Sequence, residues 1–137
     1  MQTSFTIMTN GPGLYDFTRE VNLWLSEAAQ DGLLTLFIQH TSASLLIQEN
    51  CDPEVQTDIA EFLHRLVPPT TDPSMHYLTH VYESPDDMPG HIKAALLPVS
   101  LSVPVRAGAM LLGRWQGIYV VEHRSAPHSR QVVAHLS

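Results

Sequence analysis

The stretch Phe37-Ile38-Gln39-His40-Thr41-Ser42-Ala43-Ser44-Leu45 carries the most apolar run of the chain directly into a His-Thr-Ser triplet. Polar side chains on a rigid, largely buried segment have defined positions, which is how sites are built. An imidazole held this way can ligate a metal or act as a general acid or base. Shortly afterwards, Glu49-Asn50-Cys51-Asp52-Pro53 sets an acid and an amide at the mouth of a helix, where such groups can orient a substrate. Glu122 ends the apolar run Ile118 to Val121 and shares its facing parity with Ile118 and Val120. A carboxylate on an otherwise apolar face needs a partner: a metal-bound histidine, a substrate hydroxyl or a buried arginine such as Arg130. Gln116 has the same parity, yet six strand residues span roughly 20 Å, so it shares a small site with Glu122 only if Gly117 forms a bulge. Ser42 and Thr41 can donate to an anionic oxygen, but neither lies in a nucleophile-elbow sequence and no Ser-His-Asp order is present, which argues against covalent catalysis. Cys51, near a helix start, reads as a buried or incidental thiol.

The elements that must position these residues follow from periodicity and turn chemistry. Gln2 to Thr9 alternates and reads as a strand, broken by Asn10-Gly11-Pro12-Gly13. Thr18 to Gln30 repeats Val21, Trp24, Leu25, Ala28 and Ala29 at helical spacing and stops at Asp31-Gly32. Leu33 to Ile38 reads as a central strand that can continue through His40, Ser42 and Ser44 on one face. Asp52 and Pro53 supply an N-cap and a first helical position, and the stripe Val55, Ile59, Phe62, Leu63 and Leu66 runs to Pro68-Pro69. Pro68 to Pro89 has little periodicity and reads as a long, functional loop. A short helix over His91 to Leu97 then precedes strands at Ser100 to Val105, Met110 to Leu112, Ile118 to Glu122 and Gln131 to Leu136. Arg106-Ala107-Gly108 and Ser125-Ala126-Pro127 are the turns between them. This order predicts one α+β domain over 1–137, mostly antiparallel and with two main helices.

Bulk composition narrows the classes. A chain of 137 residues can bury one core unaided. Hydrophobic residues are 44% and charged residues 15% of the chain, thin polar cover for a free monomer, so a homo-oligomer is expected. The net charge of −7 opposes attraction to nucleic acid or an anionic membrane. No apolar run approaches the roughly 20 residues needed to cross a bilayer. A single cysteine and a start lacking a basic-then-apolar leader predict a soluble protein in a reducing, cytoplasmic setting.

Several motifs occur together and in order: His40-Thr41-Ser42-Ala43, Glu49-Asn50-Cys51-Asp52-Pro53, Asp87-Met88-Pro89-Gly90-His91-Ile92-Lys93, Gly113-Arg114-Trp115-Gln116-Gly117-Ile118 and Arg130-Gln131-Val132-Val133. Through them the chain resembles the YjbQ family, also called the secondary thiamine-phosphate synthase family, over nearly its whole length. The resemblance implies an α+β sandwich, a homotrimer with a cleft near the subunit interface, and the joining of a hydroxymethylpyrimidine diphosphate to a thiazole phosphate with release of diphosphate. The chain departs from many members at Glu83-Ser84-Pro85-Asp86-Asp87, where an Asn-rich, Gly-containing segment is common. His40, His80 and His91 match motif positions, and three imidazoles can bind a divalent metal, zinc or magnesium, with a position left open. No two of them stand at a compact ligand spacing, so their meeting depends on the fold. His76 is a weaker candidate, while His64, His123, His128 and His135 read as structural or surface.

The expected site therefore places His40, His80 and His91 opposite Glu49, Asn50, Asp87 and Glu122. Thr41, Ser42, Lys93, Gln116 and Arg130 would bind a small phosphorylated metabolite, with Lys93, Arg114 and Arg130 the available positive charges. Two other readings are a non-enzymatic trimer that binds a metal or a phosphometabolite, and metal-assisted hydrolysis of a small ester or amide.

Overall fold

A computed structural model describes residues 1–137. In chain order the elements are β1 (Gln2–Asn10), β2 (Gly13–Asp16), α1 (Thr18–Ala28), β3 (Gly32–Ile38), β4 (Ala43–Glu49), α2 (Pro53–Leu66), α3 (Asp87–Leu96), β5 (Ser100–Arg106), β6 (Ala109–Met110), β7 (Gln116–Glu122) and β8 (Pro127–Leu136), with a 3-10 turn at Pro73–Met75. The strands form two antiparallel sheets, one in the order β1-β8-β3-β5-β6 and one in the order β2-β7-β4. This is the expected α+β architecture. Three helices accompany the sheets, the two main ones and the short one that the sequence predicts.

The two sheets share one core. Leu34, Leu36 and Ile38 of β3 alternate inward, as period two requires, and meet Val132, Ala134 and Leu136 of β8 and Leu45, Ile118 and Val120 of the smaller sheet. Phe17, Val21 and Leu25 bring α1 against the same cluster. β7 is buried on both faces from Gly117 to Glu122. Its second face meets α2, where Tyr119 Oη accepts a hydrogen bond from Gln56 Nε2 at 2.9 Å.

Several boundaries differ from the sequence reading. β3 does not run on through His40 and Ser44: it ends at Ile38, the chain turns at 39–42, and a separate strand, β4, begins at Ala43 in the other sheet. The polar triplet is thus the link between two sheets, and the core-facing parity changes across it, from Leu36 and Ile38 in β3 to Ala43 and Leu45 in β4. β2 lies beyond a glycine-proline break and is only four residues long, too short for periodicity to reveal. α3 starts at Asp87, one turn before His91, because Pro89 falls in its first turn, where the missing N–H has no intrahelical partner to lose. β6 covers Ala109–Met110 rather than Met110 to Leu112, while β7 and β8 start earlier than expected. On α2 the Asp52 cap forms as predicted, its carboxylate accepting from Glu54 N at 2.9 Å. Of the proposed stripe only Leu63 is buried, and Phe62 and Leu66 face outward. The predicted turn after β5 forms at Ala107-Gly108. There Gly108 has φ +79° and a Cβ would lie 2.9 Å from Ala29 Cα, so only glycine fits.

Candidate metal centre

α3 presents Asp87 and His91 one turn apart on the same face, and the preceding loop brings His80 over them. One donor atom from each of the three residues lies within 4.8 Å of the other two. Oδ2 of Asp87 is the focus, 2.9 Å from His80 Nε2 and 3.4 Å from His91 Nε2. Its other oxygen, Oδ1, is held by Arg124 Nη1 at 2.9 Å. The Asp87 side chain is only 4% exposed, whereas those of His80 and His91 are 35% and 34% exposed, so the cluster is anchored inside and opens outward.

The outer hydrogen bonds aim the rings. His91 Nδ1 lies 3.0 Å from the carbonyl oxygen of Thr41, which can only accept, so Nδ1 carries the proton. A neutral His91 then has its lone pair on Nε2, facing the Asp87 carboxylate. Two acceptors opposed in this way need a proton or a cation between them. Nδ1 of His80 sits 3.0 Å from Tyr82 Oη, leaving its Nε2 on the same focus. Such backing of imidazole ligands by a carbonyl or hydroxyl is typical of metal sites. Burial pushes the Asp87 carboxyl up, but the His80 hydrogen bond and the nearby His91 and Arg124 charges outweigh it and hold the group below the usual carboxylate range. Two imidazoles and one carboxylate suit zinc or a similar transition ion better than magnesium, which prefers oxygen donors.

His40 is not the third ligand. Its Nε2 accepts the Gln131 backbone N–H at 2.8 Å, so a neutral ring carries its proton on Nδ1, which lies 3.3 Å from Arg130 Nη1. Burial, then the Arg130 charge, lowers the His40 pKa and favours this neutral form. The carboxylate Asp87 takes the place that the sequence reading gives to His40.

Glu122 finds the buried arginine. Arg130 Nε donates to its Oε1 at 2.7 Å, Arg130 Nη2 donates to Oε2, and Thr9 together with the backbone N–H groups of His123 and Arg124 complete the carboxylate. Nη2 also donates to the Ser42 carbonyl and, at 3.0 Å, to Ser42 Oγ. Only Nη1 of Arg130 lacks a carboxylate or carbonyl partner. A cleft of about 520 Å³, lined by His40, Thr41, Ser42, Phe37, Val99 and Arg130, lies on that side.

Glu49, Asn50 and Gln116 do not join this group. In the β4–β7 register Glu49 pairs with Gln116 and Ala43 with Glu122, with Gly117 in regular pairing opposite Gln48 and no bulge. The six-residue separation therefore stands, roughly 20 Å along the strand. At that far end the three residues order turns: Glu49 Oε2 accepts from Asp52 N, Asn50 Nδ2 donates to Gln116 O, and Gln116 Oε1 accepts from Gly113 N. Lys93 is also apart, since two residues along a helix from His91 is roughly 200° of rotation. Arg114 stacks on Trp115, its guanidinium carbon 4.9 Å from the ring centroid. Cys51 is exposed rather than buried.

Sequence reading missed Arg124 and Tyr82, while His123, read as structural or surface, is buried with its Nε2 2.9 Å from Ser44 Oγ. Arg124 is the hub of the loop: it binds Asp86 Oδ2 at 3.1 Å, Asp87 Oδ1, and Ser84 Oγ at 3.1 Å. These partners lie within the segment Glu83-Ser84-Pro85-Asp86-Asp87. Gly90 allows the approach, since a Cβ there would sit 3.2 Å from Arg124 Cδ. The one signal in the sequence was that Glu122-His123-Arg124 brings a basic residue to the very end of an apolar strand.

With fold and cluster in place, the class is an α+β two-sheet protein carrying a histidine-carboxylate cluster on its third helix. Residues 3–137 match the family described as "UPF0047 protein YjbQ-like", and the chain belongs to that family. It is 42% identical over 137 residues to a UPF0047 protein of Synechocystis, covering 99% of this chain and 90% of that one. It is 41% identical to the UPF0047 protein YjbQ of Escherichia coli O157:H7, covering 98% and 96%. Among solved structures, a conserved hypothetical protein of Thermus thermophilus superposes with a TM-score of 0.86 at 30% identity, covering 98% of this chain and 99% of that one. A hypothetical protein of Aeropyrum pernix gives 0.85 at 30% identity, covering 100% and 98%. No helix is long and apolar enough to cross a membrane.

Proposed function

We propose that the chain is a metal-dependent transferase acting on phosphorylated small molecules, of the kind that joins a hydroxymethylpyrimidine diphosphate to a thiazole phosphate. The observation that carries this reading is the convergence of His80 Nε2, His91 Nε2 and Asp87 Oδ2, tied by the His91 Nδ1 bond to the carbonyl of Thr41, which lines a cleft that also holds Arg130. A divalent ion, zinc by its donor set, would neutralise the diphosphate there. In the reaction the bond from the activated carbon to diphosphate breaks, the leaving oxygen keeps the electron pair, and the carbon joins the thiazole nitrogen. No proton need move, so the protein's tasks are positioning and charge stabilisation. Arg130 Nη1 and the Nδ1–H of His40 are the two donors free to hold the second substrate's phosphate. Glu122 fixes the arginine for that task, and Thr41 fixes His91.

Two features support the rest of the reading. The outer face of the five-stranded sheet leaves Leu33 and Phe37 45% and 47% exposed, apolar area that a homotrimer would cover. An exposed free thiol fits a reducing cytoplasm. The donor set also favours a second reading, metal-assisted hydrolysis of a small ester, since His-His-carboxylate sites serve hydrolases as well.

The test combines metal content of untagged protein with thiamine-phosphate formation by wild type, His91→Ala and Asp87→Asn. Stoichiometric zinc in the wild type should be lost in both variants, and formation should fall on the order of 100-fold, the loss expected when charge stabilisation at the reacting group is removed. Synthesis unaffected by either substitution sinks the transferase assignment. Absence of stoichiometric metal from replete protein sinks the metal centre.

A further inference from the structure

Arg124 lies just beyond the end of β7, between the two charged sets of the molecule. Its backbone N–H donates to Glu122 Oε2 at 3.0 Å, which fixes where its side chain starts. From there the guanidinium commits a different nitrogen to each of its partners: Nε donates to Asp86 Oδ2 at 3.1 Å, Nη2 donates to Ser84 Oγ at 3.1 Å, and Nη1 pairs with Asp87 Oδ1 at 2.9 Å. Asp86 Oδ2 is itself fixed, since it also accepts the Ser125 N–H at 2.8 Å. A planar group held at every nitrogen cannot turn, and it sets the plane of the Asp87 carboxylate it grips. The Arg124 side chain is 21% exposed, so water competes little for these bonds.

This grip decides what Asp87 can offer a metal. A carboxylate can ligate through one oxygen or through both. With Oδ1 taken by Arg124, only Oδ2 faces the imidazoles, 2.9 Å from His80 Nε2 and 3.4 Å from His91 Nε2. The cluster then gives an ion three donor atoms, and one corner of a tetrahedron stays open for water or substrate. A carboxylate free to rotate would bring its second oxygen into that corner. Arg124 does this against an electrostatic penalty, because a positive charge beside the ligand repels an incoming cation. Charge and geometry therefore predict opposite results for its removal: relief of repulsion tightens metal binding, whereas loss of position weakens it.

We propose that Arg124 is the positioning residue of the metal centre, which by occupying Asp87 Oδ1 makes Asp87 a one-oxygen ligand and keeps the fourth position of the ion open. The inference rests on the metal reading of the His80, Asp87 and His91 cluster. Asp86 and Ser84 serve the same end: they belong to the loop that carries His80, and their bonds to the guanidinium hold that loop and the Asp87 carboxylate in one arrangement.

Cobalt(II) is the probe, since its visible bands are intense in four-coordinate sites and weak at higher coordination. Wild type, Arg124→Lys and Arg124→Met are titrated with cobalt and with zinc, and circular dichroism checks the fold. Lysine keeps the charge and loses the fork, whereas methionine loses both. Wild type should take up stoichiometric cobalt with intense bands. Both variants should bind zinc on the order of 10- to 100-fold more weakly, the loss usual when a group that orients a ligand is removed, and their cobalt bands should weaken as Oδ1 joins the ion. Tighter zinc binding by Arg124→Met overturns the proposal, because charge alone then mattered. Weaker binding with unaltered bands overturns it too, since Arg124 then only supports the fold. Should the methionine variant fail to fold, Arg124→Lys decides, and affinity and bands equal to wild type there overturn the proposal. Wild type that takes up neither cobalt nor zinc overturns the metal centre and this inference together, whereas a loaded wild type with indifferent variants overturns the inference alone.

Discussion

Glu122–Arg130 and His80–Asp87–His91 are built from the same kinds of groups, yet they stand at opposite limits of satisfaction. Glu122 is 1% exposed and its carboxylate takes two arginine N–H groups, a threonine hydroxyl and two backbone N–H groups, so nothing is left over. Asp87 is equally sheltered, but it faces two imidazoles that are a third exposed and bring more lone pairs than protons. A closed set of this kind contributes to holding a fold, and its removal is felt as lost stability. An open set has capacity for a ligand, and its removal is felt as lost binding. The contrast also explains why a carboxylate on an apolar strand is poor grounds for a catalytic assignment until its partners are counted.

Breaking the closed set should produce the largest effect. Glu122→Ala leaves Arg130 buried and uncompensated, and urea unfolding should show a loss of about 3–5 kcal/mol. A loss under about 1 kcal/mol would place Glu122 with the exposed ion pairs and dissolve the contrast. His123, packed between the two regions, makes the next test. Its pKa is about 4 in the fold against 6.5 in the unfolded chain, so between those values the unfolded state binds the extra proton and stability rises with pH. On acidifying from above pH 6.5 to pH 4, stability should fall by up to about 3 kcal/mol through this residue, and His123→Gln should flatten that window in unfolding curves. Below it the paired carboxylates Glu122 and Asp86, both held under their ordinary values, begin to protonate and stability falls further. Filling the open set should have a slightly smaller effect. Zinc at 100 times its dissociation constant should stabilise the wild type by about 2.7 kcal/mol. Magnesium should do little, and His91→Ala should lose the zinc response while changing metal-free stability by no more than about 1 kcal/mol, as expected for a part-exposed side chain. Equal responses in His91→Ala and wild type would remove the open set from consideration.

Much of the frame was legible in advance. The alternation in β1 and β3, the Asp52–Pro53 helix start and the Ala107-Gly108 turn are local features, set by side-chain period, capping and backbone freedom, and they stand where periodicity and caps place them. His80, Asp87 and His91 were all candidates. What misled was continuity. Reading Leu33 to Ser44 as one strand conceals a change of sheet at 39–42, across which the core-facing positions switch from Leu34, Leu36 and Ile38 in β3 to Ala43 and Leu45 in β4. Glu49, Asn50 and Gln116 were drawn into the site by their nearness to its motifs in sequence, although a regular β4–β7 ladder holds them at the other end of the sheet.

The sequence by itself determined the α+β class, the family through five ordered motifs, and the stock of imidazoles and carboxylates available for chemistry. Only the tertiary structure decided which of them meet. It joined Arg130 to Glu122, gave His40 to the Gln131 backbone, placed Asp87 between His80 and His91, and turned Lys93 away to α2. Those pairings depend on strand register and on the rotation of one short helix, quantities fixed by packing between residues distant along the chain, which no local pattern carries.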